Sequence, residues 1–309
     1  MVLFIALFDL YKYWFHGDNS GPEFRANFVL LSKNKQIMNK TILITGASAG
    51  IGKAAAQYFA AKSWNVIATM RSPEKETELT TLNNVFVTRL DVQEKESMQP
   101  VIAEGIKRFG KIDVLLNNAG YGLFGSFELA TDAQIKQQFD VNVFGVMNLT
   151  KAILPHFRAN KAGTVINVSS IGGRITYPIV SMYHATKFAV EGFSESLAYE
   201  LAALNIKVKL VEPGAIATGF DTAANFTGNP EITDYDAFVQ GFLNLWGSKT
   251  MERTTATQVA EVIYEAATDG TSRLRYLAGE DAKAFMQVRM SGEEGYHAYM
   301  QEHWVPKNV

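Results

Sequence analysis

Cysteine is absent from all 309 residues. That excludes disulfides, thiolate nucleophiles and cysteine-ligated metal, and it fits a reducing compartment such as the cytoplasm. Histidine is scarce: the five residues are scattered without metal-ligand spacing, so no metal is expected. Neither sign of charge dominates. With a formal net charge of −2 and dispersed lysine and arginine, the chain offers no electrostatic footprint for nucleic acid. Long apolar runs are missing too. Residues 2–8 are apolar, but Asp9 ends the run well short of the ~20 residues that span a bilayer. The run also lacks the cationic start and cleavage site of a signal peptide, and membrane contact is not expected. What remains is a chain 47% hydrophobic and 19% charged, long enough to bury a full core.

Residues 1–37 read as a leader outside that core. Their turn-rich piece, His16-Gly17-Asp18-Asn19-Ser20-Gly21-Pro22, reads as a linker. An upstream addition, a packed helix and a membrane-surface segment are the alternatives for the leader. From Met38 to residue 309, short β-rich runs alternate with longer helical ones. Strands are expected near 41–45, 65–70, 85–89, 112–117, 163–168, 206–211 and 274–278. Helices are expected near 51–62, 94–109, 132–158, 180–204 and 257–268, with a helical tail beyond. This alternation predicts an α/β fold: a doubly wound parallel sheet of about seven strands with helices on both faces. Ligands of such a sheet sit at the carboxyl ends of its strands.

A glycine-rich turn stands at the first such end. Thr45-Gly46-Ala47-Ser48-Ala49-Gly50-Ile51-Gly52 leaves a strand and opens a helix. Gly46, Ser48, Gly50, Ile51 and Gly52 are therefore candidates to receive a pyrophosphate at the helix N-terminus. Taken alone the turn is a weak signal, since its spacing is not the common dinucleotide fingerprint and a structural turn is the lesser alternative; its place between strand and helix favours the ligand. In this architecture a carboxylate about 20 residues on binds the ribose 2′-hydroxyl of NAD, whereas an arginine accommodates the 2′-phosphate of NADP. The second strand ends in Arg71 with no carboxylate, so NADP(H) is expected over NAD(H). Asp91 and Val92, after the third strand, are placed to meet the adenine end.

Tyr183-His184-Ala185-Thr186-Lys187 carries the chemistry. Tyr183 and Lys187, four apart, share one helical face. A free phenol, with a pKa of about 10, transfers protons poorly at neutral pH. A cation roughly 4 Å away at an effective dielectric of about 20 favours the phenolate by on the order of 4 kcal/mol, enough to bring it into working range.

With these motifs the chain resembles the short-chain dehydrogenase/reductase family from about Thr41 to Gly279. The 45–52 turn matches the family's glycine motif, and Asn117-Asn118-Ala119-Gly120 matches its fourth-strand motif. Asn142, Ser170, Tyr183 and Lys187 match its catalytic tetrad, and Pro213, Gly214, Ile216 and Thr218 its nicotinamide-contacting turn. The resemblance implies that Ser170 polarises a substrate carbonyl, with neighbouring Ser169 the lesser candidate. It implies Tyr183 as the acid or base, and Lys187 as tuning Tyr183 and holding the nicotinamide ribose. Asn142 is implied to hold a water on the proton path. It further implies a substrate lid near 220–250, where Phe238, Phe242 and Leu245 or Trp246 recur at helical spacing. Tyr121, Leu123, Phe124 and Tyr177 are expected to add apolar wall, so the expected substrate is a hydrophobic ketone, aldehyde or secondary alcohol. Similar family members include NADP-dependent carbonyl reductases and hydroxysteroid or retinol dehydrogenases. Members assemble as homodimers or homotetramers through the helices around 132–158 and 180–204. Rival readings are a scaffold acting through the apolar leader, an NADP(H)-binding sensor without turnover, and an epimerase or dehydratase. The last needs a further acid or base beside Tyr183, and His184, expected to face away, is the sole candidate.

Overall fold

Ile42, Leu43 and Ile44 are fully buried, and so are the threonines on either side of them. A strand this apolar on both faces must be covered on both. β1 (Thr41–Thr45) accordingly lies in the interior of a parallel sheet. Side chains alternate across it: Ile42 and Ile44 enter one core, Leu43 the other.

The computed structural model describes residues 39–218, 225–249 and 253–307; the 1–37 leader lies outside the described residues. The unit Lys40–Val309 continues from β1 through α1 (Gly50–Ala61), β2 (Asn65–Met70), β3 (Val85–Arg89), α2 (Lys95–Phe109) and β4 (Val114–Asn117). A two-residue strand β5 (Leu123–Phe124) precedes α3 (Asp132–Phe139), α4 (Gly145–Asn160), β6 (Gly163–Val168), α5 (Ser181–Ala202) and β7 (Ile206–Pro213). Then come β8 (Asn225–Phe226), α6 (Asp236–Ser248), α7 (Ala256–Thr268), β9 (Arg275–Ala278), α8 (Glu280–Arg289) and α9 (Glu293–Trp304).

The seven-stranded sheet runs β3-β2-β1-β4-β6-β7-β9, every pairing parallel. One face packs on α1 and α7 through Ala55, Phe59, Val259 and Ile263; the other packs on α2, α4 and α5 through Met98, Ile153, Phe157 and Leu197. Strand order reverses between β1 and β4, and in sheets of this kind a crevice opens at that switch point. A third core joins the segment after β6 to α6, α8 and α9 through Ile171, Ile175, Phe242, Phe285 and Trp304.

The expected helix over 132–158 is broken. α3 and α4 are separated by a π-helical turn, Asp140–Phe144, which adds a residue to the helical circuit. Asn142 is pinned there by the Tyr121 backbone, while Gly145 presses on Val92, whose side chain lies 2.8 Å from where a glycine Cβ would be. The wider turn satisfies both contacts. The fourth strand starts at Val114 rather than 112, because the Ile112 N–H is taken by His156 Nε2 at 3.0 Å. The pairing of β5 with β8 is too short to leave a period in the sequence. Among the described residues, no helix is long and apolar enough to cross a membrane.

Candidate active site

Thr45 ends β1 and ties the two sides of the switch point. Its Oγ1 accepts the backbone N–H groups of Asn118 and Ala119, both at 3.0 Å. Asn118 Nδ2 returns hydrogen bonds to the carbonyls of Thr45 (2.9 Å) and Gly46 (3.2 Å). The turn after β1 and the turn after β4 are thus one rigid rim. Gly46 and Gly50 take positive φ, +68° and +54°, which side-chain-bearing residues adopt reluctantly. Gly52 is required by space: a Cβ there would lie 2.2 Å from Gly46 O and 2.5 Å from Asn118 Nδ2. Gly52→Ala is therefore expected to cost about 1–3 kcal/mol of stability and to weaken dinucleotide binding, readable as a lowered denaturation midpoint and a raised dissociation constant for the nicotinamide cofactor.

A cavity of about 810 Å³ begins at this rim. Gly46, Ser48, Gly50, Ile51, Arg71, Asp91 and Val92 line one end; Asn118, Ala119 and Gly120 continue it; Pro213, Gly214, Ile216 and Thr218 border the middle with Ser170, Tyr183 and Lys187. The fold therefore brings together the catalytic and cofactor-binding candidates named from sequence, with two exceptions. Gly52 lies behind the turn, and Asn142 stands behind Gly120, its Oδ1 3.2 Å from where a Gly120 Cβ would be. A dinucleotide fits this cavity by its donors: α1 begins without a side-chain cap, leaving its first N–H groups open for a phosphate. Arg71 is exposed at the carboxyl end of β2 on the same wall.

Tyr183 and Lys187 sit one turn apart on α5, with Lys187 Nζ 5.6 Å from the Tyr183 ring centroid. Nζ donates to Val168 O at 2.9 Å, at the end of β6. Only 8% of Lys187 is exposed, and this burial lowers its pKa to about 8 although Glu191, one turn on, pulls the other way. Ser170 Oγ accepts the Gly172 N–H at 3.0 Å and donates a long bond, 3.5 Å, to Pro213 O. Its hydrogen is weakly held and free to turn to a better acceptor. The Asn142 side chain makes three hydrogen bonds: Oδ1 accepts the Tyr121 N–H at 3.1 Å, and Nδ2 donates to Tyr121 O at 2.9 Å and Thr186 Oγ1 at 3.2 Å. It pins the loop beside Gly120.

His184 corrects the expectation that it faces away. It is buried against the segment after β6 and borders the cavity. Nε2 accepts the Tyr177 N–H at 2.8 Å, so Nδ1 carries the proton and donates to Gly172 O at 2.7 Å. Burial lowers its pKa to about 4. With both nitrogens occupied and the ring neutral, His184 organises residues 172–177 and offers no second acid or base.

The far end of the cavity is apolar. Phe124, Tyr177, Ile179, Phe226, Phe242 and Trp246 line it. Phe124 meets Tyr183 edge to face at 6.1 Å between centroids, and Tyr177 meets Trp246 at 5.2 Å. Burial, and then Asp281, hold the Tyr177 phenol well above its ordinary pKa and so protonated. Of the expected lid face, Phe242 and Trp246 reach the cavity together with Leu243, whereas Phe238 and Leu245 do not line it. Leu123 lies buried behind the wall. Asp281 borders the site as well; no motif in the sequence singles it out. Among the described residues no cluster of histidine and carboxylate side chains could hold a metal.

The short chain dehydrogenase family model matches residues 40–227, which carry the glycine turn, the switch-point rim and the Ser170, Tyr183 and Lys187 cluster. The chain belongs to the short-chain dehydrogenase family. An uncharacterized oxidoreductase of Schizosaccharomyces pombe is 41% identical over 220 residues, 71% of this chain and 92% of the relative. A 3-ketodihydrosphingosine reductase of Bacteroides thetaiotaomicron is 42% identical over 203 residues, 64% of this chain and 73% of the relative. A short-chain dehydrogenase structure from Streptomyces avermitilis superposes with a TM-score of 0.73 at 34% identity, covering 85% of this chain and 95% of that one. The structure of ElxO with NADP bound gives 0.68 at 28% identity, covering 80% and 100%. As a short-chain dehydrogenase the chain is an oxidoreductase of the class acting on CH–OH donors, with a nicotinamide cofactor.

Proposed function

We propose that this short-chain dehydrogenase interconverts a hydrophobic ketone or aldehyde and its alcohol using NADP(H), with Tyr183 as acid and base. The observation that carries the reading is the buried Lys187 ammonium under the Tyr183 ring, inside a cavity that runs from the glycine turn to an aromatic wall. Bound NADP(H) would supply and accept the hydride. Gly46, Ser48, Gly50 and Ile51 would hold its pyrophosphate, Asp91 and Val92 its adenine end, and Pro213 to Thr218 its nicotinamide end.

In reduction, Ser170 Oγ turns from Pro213 O to donate to the substrate oxygen and polarises the carbonyl. Tyr183 gives its proton to that oxygen as negative charge develops, and Lys187 stabilises the resulting phenolate. Oxidation runs the same transfers backwards. The apolar wall of Phe124, Tyr177, Phe242 and Trp246 favours a lipophilic substrate over a sugar or charged acid. The reductase named among the relatives and the NADP-bound structural neighbour support both halves of the reading.

The test is loss of NADPH absorbance against a panel of lipophilic ketones and aldehydes, with NADH in parallel. Turnover confined to small polar carbonyls would overturn the substrate class. The Arg71 guanidinium at the adenine end supports NADP(H) over NAD(H). Arg71→Asp is expected to reduce the NADPH-to-NADH preference in kcat/KM by roughly tenfold or more; an unchanged ratio would make Arg71 a surface cation. Assembly as a homodimer or homotetramer belongs to the same reading. Phe188 and Tyr199 stand exposed on α5, and sedimentation of the protein checks it.

A further inference from the structure

The turn after β7 is held by residues beyond the stretch the family model matches. Gly214 donates its N–H to Ala278 O at 3.0 Å, Thr254 to Ala215 O at 3.0 Å, and Ala217 to Thr254 O at 2.9 Å. The Ala215 N–H goes instead to a side chain, Asp281 Oδ2, at 2.6 Å. Asp281 lies in the first turn of α8, and two glycines make room for it. A Cβ on Gly214 would fall 2.2 Å from both carboxylate oxygens, and a Cβ on Gly279, where φ is +116°, would fall 2.5 Å from Oδ1.

The second oxygen, Oδ1, is buried with no hydrogen-bond partner. Leaving a carboxylate oxygen unpaired is a costly way to hold a fold together. An asparagine would bind the turn more cheaply. The carboxylate also borders the cavity beside Pro213, Gly214 and Ile216.

We propose that Asp281 is a positioning residue for the nicotinamide end of the cofactor site, acting through the Ala215 N–H to shape the 213–218 turn. The proposal rests on the cofactor reading above. The Asp281 bond to Ala215 is charge-assisted and short, and it links α8 to the backbone that would receive the nicotinamide.

The test compares two ligands at equilibrium: NADPH, followed by its fluorescence, and adenosine 2′,5′-bisphosphate, the adenine half alone, followed by calorimetry. Asp281→Ala is expected to weaken NADPH roughly tenfold to a hundredfold and to leave the adenine half within about twofold, because that half lies at the other end of the cavity. Asp281→Asn, whose amide oxygen still accepts from Ala215, is expected to recover most of the loss. Asp281→Ser keeps a residue suited to a helix start but cannot reach Ala215; it carries the alanine expectation should Asp281→Ala fail to fold. Equal weakening of both ligands would make Asp281 a general structural residue and overturn the proposal, as would unchanged NADPH affinity. Wild-type protein that binds neither ligand would overturn the cofactor reading beneath it.

Discussion

Tyr183→Phe is expected to lower kcat by roughly two to four orders of magnitude, the range that positioned acid–base groups contribute, while NADPH binds as before. The substitution removes only the phenolic oxygen. The ring keeps its edge contact with Phe124 and its place above Lys187, so neither the helix nor the cavity wall has reason to move. Ser170 would still polarise the carbonyl, and what is lost is the proton donor. Steady-state turnover with NADPH binding measured in parallel separates the two. Turnover within about tenfold of wild type, below the range for a lost acid–base group, would take Tyr183 out of its role.

Lys187→Met is expected to abolish most activity and yet stabilise the ligand-free protein. Burial brings the Lys187 pKa from 10.5 down to about 8, a shift that costs the folded state on the order of 3 kcal/mol at neutral pH. Methionine fills a similar volume without that penalty, but it gives up the hydrogen bond to Val168 O, which offsets about 1 kcal/mol. The sign with pH follows from where the proton resides. Between pH 8 and 10.5 the unfolded chain holds the lysine proton and the folded chain has lost it. The Lys187 contribution to wild-type stability therefore rises with pH across that window, and the advantage of Lys187→Met shrinks. Denaturant midpoints of both proteins at pH 7, 9 and 10.5 read this directly. A variant less stable than wild type at pH 7 would mean that the ammonium stabilises this fold rather than burdening it.

Buried charge beneath Lys187 offsets part of that cost. Glu212, at the end of β7, is pushed up to about 7 by burial and by neighbouring Glu191, although Arg174 and Arg275 lie 3.1 and 3.3 Å away. Glu191 in turn raises the Lys187 pKa against the burial that lowers it. The Lys187 ammonium is thus supported from behind by buried Glu191, which the Tyr-Lys spacing does not announce.

Legibility differed by element. The six-residue strands Asn65–Met70 and Gly163–Val168 could be read directly, because parallel strands covered on both faces need unbroken β-rich runs. Their helices could be read from period and length. The π-helical turn at 140–144 could not, because it answers to contacts of Asn142 with Tyr121 and Gly145 with Val92, partners 21 and 53 positions away. The surroundings of His184 are hidden from the sequence for a related reason: helical spacing says which residues share a face, while the segment 172–177 folding over that face decides what the imidazole meets.

The chain by itself determined the alternation of strands and helices, the glycine turn where β1 enters α1, and the Tyr-Lys pair on one helical turn. Each depends on residues close in sequence, so local sterics and hydrogen-bonding geometry suffice to specify it. Only the tertiary structure decided that Asp281 reaches Ala215, that Phe242 and Trp246 rather than Phe238 line the cavity, and that Lys187 is buried deeply enough for its pKa to fall to about 8. Those are matters of distance and dielectric between segments far apart in the chain, and packing sets them.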